Sequence, residues 1–128
     1  MKKFSFIFAM LMPLLFASCE FEETDLGFPD TVTFSADGGE MVISGDVTFN
    51  HAGIHNYKTG DNGSSWVTDA GTIMNEFEWL KIEYSEYNHG NNGELKIFAK
   101  PNSTGKTRYL HIAIYDGPDY QNVKVKQK

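Results

Sequence analysis

Apolar residues recur at every second position through most of this chain, and that period confines what it can fold into. Val32 and Phe34 alternate with Thr31, Thr33 and Ser35. Leu95, Ile97 and Ala99 alternate with Glu94, Lys96, Phe98 and Lys100. Leu110, Ile112 and Ile114 alternate with Tyr109, His111, Ala113 and Tyr115, and Val123 and Val125 with Lys124 and Lys126. Side chains on a strand point to its two faces in turn, so each run offers one face to a core and one to water. Turn-forming clusters separate the runs: Asp37-Gly38-Gly39, Gly45-Asp46, His89-Gly90-Asn91-Asn92-Gly93, Pro101-Asn102-Ser103-Thr104-Gly105 and Asp116-Gly117-Pro118-Asp119. After the leader, no helical stripe of ten residues appears. Short strands at this spacing predict an all-β fold, an antiparallel sandwich or barrel.

Two stretches resist the pattern. Residues 50–75 read as irregular, with Gly53, Gly60, Gly63 and Gly71 among polar residues and Tyr57 and Trp66 as the large side chains. Phe77 and Trp79 are odd-numbered, whereas Leu80, Ile82 and Tyr84 are even. Both sets cannot face one core along an unbroken strand, so a bulge near Trp79-Leu80, or a new strand beginning there, is required.

The leader is of another kind. Met1-Lys2-Lys3 is a basic head, Phe4 to Phe16 an apolar run, and Phe16-Ala17-Ser18-Cys19 its exit. The run falls short of the roughly twenty apolar residues that span a bilayer, and Pro13 interrupts it. The segment resembles a bacterial lipoprotein signal over residues 1–18, with Cys19 as the lipidation site. That resemblance implies acyl chains on Cys19 and an outer-membrane anchor; two or more chains anchor stably where one is marginal. Residues 19–30 then read as an acidic tether. The stretch Cys19-Glu20-Phe21-Glu22-Glu23-Thr24-Asp25 within it resembles the acidic patch after the lipidated Cys in surface-exported lipoproteins of Bacteroidetes, which implies display on the cell exterior.

Removing residues 1–18 leaves 110 residues, enough for one domain. No cysteine beyond Cys19 exists to form a disulfide, so stability rests on the core and its aromatic residues. The formal charge of the whole chain is −6. It is unevenly spread: residues 19–93 hold fourteen acids against Lys58 and Lys81, and residues 94–128 hold seven bases against three acids. A basic third can mark a nucleic-acid or membrane footprint. Strands from the two halves lying side by side, with offsetting outward charges, explain it more simply, and nucleic acid is not an expected partner.

The chemistry-bearing residues do not assemble an enzyme. His51 and His55 stand four apart with Gly53 between them and no Glu after His51, so the zinc pattern H-E-x-x-H is absent. Neither Asp61-Asn62-Gly63 nor Asp116-Gly117-Pro118-Asp119 has calcium-loop spacing. Glu76, Glu78, Glu83 and Glu86 read as solvated strand edges rather than a glycosidase pair. No catalytic residue, metal or cofactor is expected. Sugar binding asks for aromatic faces beside amides or carboxylates. Trp66, Tyr57, Tyr87, His89 and Asn91, with Asn92, meet that demand in glycine-rich segments, although packing beneath long loops would also account for them. Tyr109, His111 and Tyr115 form an outward stripe if Leu110, Ile112 and Ile114 face inward; it serves either as a platform or as the cross-strand partner of Lys124 and Lys126.

The order of signals over residues 31–128 resembles the BACON domain. The matching residues are Phe34-Ser35-Ala36-Asp37-Gly38-Gly39, Trp79-Leu80-Lys81-Ile82, Gly93-Glu94-Leu95-Lys96-Ile97, Asn102, Thr107-Arg108 and Val123-Lys124-Val125-Lys126-Gln127. Between Ile43 and Phe77 the chain is longer than the family pattern, and Trp66 is the candidate for the family's first tryptophan. The resemblance implies an immunoglobulin-like sandwich, a carbohydrate ligand and a core role for Trp79. No catalytic domain follows, so the chain is not expected to be a spacer within its own polypeptide. Expected partners are the membrane, through the lipid, and a polysaccharide or glycoprotein glycan; the alternative is a structural lipoprotein docking on another surface protein.

Overall fold

The computed structural model describes residues 22–85 and 93–128, and the strands within them are numbered along the chain. They form two facing sheets, an all-β sandwich. In the first sheet β11 (Asp119–Gln127) pairs antiparallel with β10 (Arg108–Asp116), which pairs with β4 (His51–Asn56), and that with the short β5 (Asp61–Asn62). On its other edge β11 takes β1 (Glu22–Glu23) and β2 (Thr31–Phe34), both parallel to it. The second sheet runs β3 (Gly39–Ile43), β9 (Leu95–Ala99), β8 (Leu80–Ser85), β7 (Thr72–Phe77) and β6 (Ser64–Val67).

The two-residue period becomes the core directly. Leu110 opposes Val125, and Ile112 lies opposite both Val123 and Ile54; all are buried against Leu80, Ile82, Leu95 and Ile97 of the other sheet. Trp79 does not lie in an unbroken strand. Phe77 pairs with Leu80, leaving Glu78-Trp79 as a two-residue turn with Glu78 at φ 52°, so a new strand starts at Leu80. Trp79 itself is 7% exposed and belongs to the core, with the Arg108 guanidinium 4.6 Å from its ring centre.

Residues 50–75, expected to be irregular, hold four strands instead. Their alternation is faint because β4 sends Ala52 and Ile54 inward and only His51, Gly53 and His55 outward, a weak contrast of polarity. The packed region also begins before Thr31. Leu26 and Phe28 are buried, held by Gln121, whose Oε1 accepts from both their backbone N–H groups and whose Nε2 donates to the Phe28 carbonyl.

Among the described residues, most of the β4 edge facing β5 has no partner strand, and the opposite sheet satisfies it. The Tyr84 hydroxyl accepts from Ala52 N–H at 3.0 Å and donates to the Ala52 carbonyl at 3.2 Å. Asn75 Oδ1 accepts from Ile54 N–H at 2.9 Å, while its Nδ2 donates to Ser65 Oγ at 2.7 Å. The Ile54 carbonyl accepts from Gly63 N–H, where the chain crosses between sheets. A side chain at Gly63 would overlap the Asn75 amide, so the crossing requires glycine.

Candidate functional site

Register decides which side chains share the outer face of the first sheet. With Leu110, Ile112 and Ile114 inward, the expected stripe of Tyr109, His111 and Tyr115 does point outward. His111 lies opposite His55, and Tyr115 opposite His51 and Tyr120. Two aromatic rows result. In one, Tyr57 stacks parallel to His55 at 6.0 Å and lies 4.5 Å from His111. In the other, Tyr115 lies 5.7 Å from His51 and 5.6 Å from Tyr120. Between the rows Gly53 pairs with Ala113, the two smallest side chains on the face, and Asn122 stands opposite Ala113. Ala113 is 1% exposed and Gly53 is buried, so this strip is covered, and the open hollows lie beside the rows.

Tyr57 crosses this face from the end of β4, and its hydroxyl donates to Asn122 Oδ1 at 2.5 Å. Its ring remains 57% exposed. Burial pushes its hydroxyl pKa above 10.0, and the Asn122 hydrogen bond opposes that rise. Burial holds the His111 imidazole below its ordinary 6.5, helped by Lys124 and then His55. His51 is likewise lowered by burial, then by His55. Beside the first row lies a groove of about 460 Å3 lined by Asn56, Tyr57, Lys58, Tyr109, His111 and Lys124. Beside the second is a hollow of about 320 Å3 between His51, His55, Tyr115 and Asn50.

The structure separates the two aromatic residues expected to act together. Trp66 pairs with Met74 on β6, at the far edge of the second sheet, and is 44% exposed. Tyr57 and Trp66 thus belong to different sheets. Cys19, Tyr87, His89, Asn91 and Asn92 lie outside the described residues. Sequence reasoning missed Lys58, Tyr120 and Asn122. Lys58 follows Tyr57 directly, but only strand pairing brings Tyr120 and Asn122 to this face, and β4 carried little signal from which to infer that pairing. Four residues along a strand span about 13 Å, so His51 and His55 cannot share a metal. Among the described residues no group of three His, Cys, Asp or Glu gathers at a common point.

The BACON family model, described as "Putative binding domain, N-terminal", matches residues 57–128. That span contains Tyr57, Lys58, Tyr109, His111, Asn122 and Lys124, and leaves Phe34 to Gly39 outside. In fold the chain is similar to a protein from Bacteroides thetaiotaomicron solved by NMR, with a TM-score of 0.52. The two share 13% identity over 82% of this chain and 85% of that one, a likeness of fold alone. No curated protein matches the chain. With more than half its length matched, the chain belongs to the BACON family.

Proposed function

We propose that this protein is a non-catalytic, lipid-anchored accessory of the outer membrane, facing the cell exterior, that binds carbohydrate on the outer face of its first sheet. One observation carries the reading: each of the two aromatic rows borders an open hollow on this face, Tyr57 and His111 one and Tyr115 and His51 the other. Pyranose rings present C–H faces to aromatic side chains and hydroxyls to amides, and Tyr57 with Asn56 and Tyr115 with Asn50 offer the two together. Membership of a family of binding domains is consistent with that role.

The test is a glycan array on the full chain in detergent micelles, followed by calorimetry on any hit. Tyr57→Ala should weaken binding by about 1–3 kcal/mol, the range for aromatic stacking on nucleobases, while circular dichroism stays unchanged. Unaltered affinity in that variant would remove the outer face from consideration. The anchor is tested separately. Cys19→Ala should abolish lipid labelling and release the protein from membranes, and labelling that persists would refute it.

A second reading has its own observation. Trp66 and Val67, both exposed, lie on β6, the terminal strand of the second sheet, without the charged residues that usually guard an edge. A partner protein adding a strand there would make this an interaction lipoprotein. Binding to no glycan, together with loss of a pulled-down partner in Trp66→Ala, would favour it.

A further inference from the structure

The groove beside Tyr57 differs in charge from the molecule that carries it. The chain as a whole is acidic, at −6, yet among the described residues no carboxylate lines this groove, whereas Lys58 and Lys124 do, and the Glu23 carboxylate acts on the Tyr57 hydroxyl from outside it. Offsetting charges on neighbouring strands explain part of the basic C-terminal third, since Lys96 lies opposite Glu83. Pairing does bring the two halves of the chain together, but Lys124 lies opposite His111 on one side and Thr31 on the other. Lys126 lies opposite Tyr109 and Thr33. Among the described residues no acid faces either lysine across the ladder. Lys124 instead rests its ammonium 4.5 Å from the centre of the Tyr109 ring, an arrangement that leaves it free to pair with an anion.

Arg108 also borders the groove, but its guanidinium is already engaged. It donates to Gln127 Oε1 and to the carbonyls of Lys100 and Pro101, and it stacks on Trp79. The cations available to a ligand are therefore Lys58 and Lys124. They stand with two exposed tyrosine rings, Tyr57 and Tyr109, around about 460 Å3, within the ~300–1,000 Å3 typical of small-molecule sites. A ring face for stacking and a pair of ammonium groups recognise different parts of one ligand: a sugar ring, and an anionic group attached to it.

Resting on the carbohydrate reading above, we infer that the Tyr57–Tyr109 groove binds an acidic saccharide, its carboxylate or sulfate held by Lys58 and Lys124 and its ring against the tyrosines. The selectivity is for charge. A neutral sugar of the same shape would leave both lysines without a counter-charge and gain only the stacking.

The experiment compares three probes by calorimetry on the full chain in detergent micelles: an oligogalacturonide, a sulfated galactan oligosaccharide and a neutral galacto-oligosaccharide. At least one acidic probe should bind tenfold or more tighter than the neutral one. Binding of the uronide alone assigns a carboxylate, of the sulfated probe alone a sulfate ester, and of both a site that reads charge. Lys58→Gln and Lys124→Gln should each weaken the acidic ligand by about tenfold, in keeping with the loss of a charge-assisted hydrogen bond. Lys81→Gln, which removes the same charge beside Phe98 on the second sheet, should not. Neutral and acidic probes binding equally would overturn the inference and leave the carbohydrate reading standing. Acidic probes that bind regardless of both groove substitutions would place the site elsewhere and overturn it too. No glycan on the array would defeat the carbohydrate reading itself.

Discussion

Trp79 and Tyr57 show how differently two aromatic residues can be used in one small sandwich. Trp79 sits in a two-residue turn where one flank is the core and the other the guanidinium of Arg108, so its large face is covered twice. Truncating such a ring costs about 3–5 kcal/mol, a large share of the ~5–15 kcal/mol that keeps a domain folded. Trp79→Ala should therefore lower the melting temperature by more than about 10 °C in differential scanning calorimetry. A shift of only a few degrees would mean that Arg108 and the turn backbone, not the ring, fill that corner. Tyr57 is the reverse case: its ring is largely in water and its hydroxyl is tied to Asn122, which fixes the orientation of an exposed side chain. The type of residue at 57 was readable as a binding candidate. Its neighbours were not, because Asn122 is 65 residues away and arrives only through strand pairing.

At the level of elements, legibility followed contrast. β10 and β11 alternate branched aliphatics with polar or aromatic residues and could be placed residue by residue. β4 could not, since alanine inside and glycine outside carry almost no periodic signal. The same strand depends on help from across the sandwich. Ala52 and Ile54 present backbone groups on an edge that a neighbouring strand would ordinarily satisfy, and Tyr84 and Asn75 satisfy them instead. Tyr84→Phe keeps the ring and removes only the hydroxyl, leaving the Ala52 N–H and carbonyl buried without it. The expected cost is about 1–3 kcal/mol, measured by urea unfolding. A midpoint unchanged from wild type would show that water takes over the edge.

Across the whole molecule, the outer face of the first sheet couples stability to acidity. His51 and His111 both have pKa values depressed below the ordinary 6.5, chiefly by burial. The folded state therefore takes up their protons less readily than the unfolded chain does. The stability they contribute is full above 6.5 and is lost as pH falls through their folded values, where the unfolded chain binds the extra protons. Melting temperature should accordingly drop as pH falls below about 6.5, and His51→Gln with His111→Gln should flatten that slope. A slope untouched by the double variant would assign it to the carboxylates. The parallel pairing of β1 and β2 onto β11 has a mechanical meaning as well. If the N-terminal end, where the anchor is proposed, is pulled along the strand axis while the groove beside Lys124 holds a ligand, the load enters the very strand that bears that lysine. Bonds between parallel strands drawn lengthwise are sheared together rather than peeled one after another. Tension between that end and a held ligand would therefore meet the combined strength of that ladder.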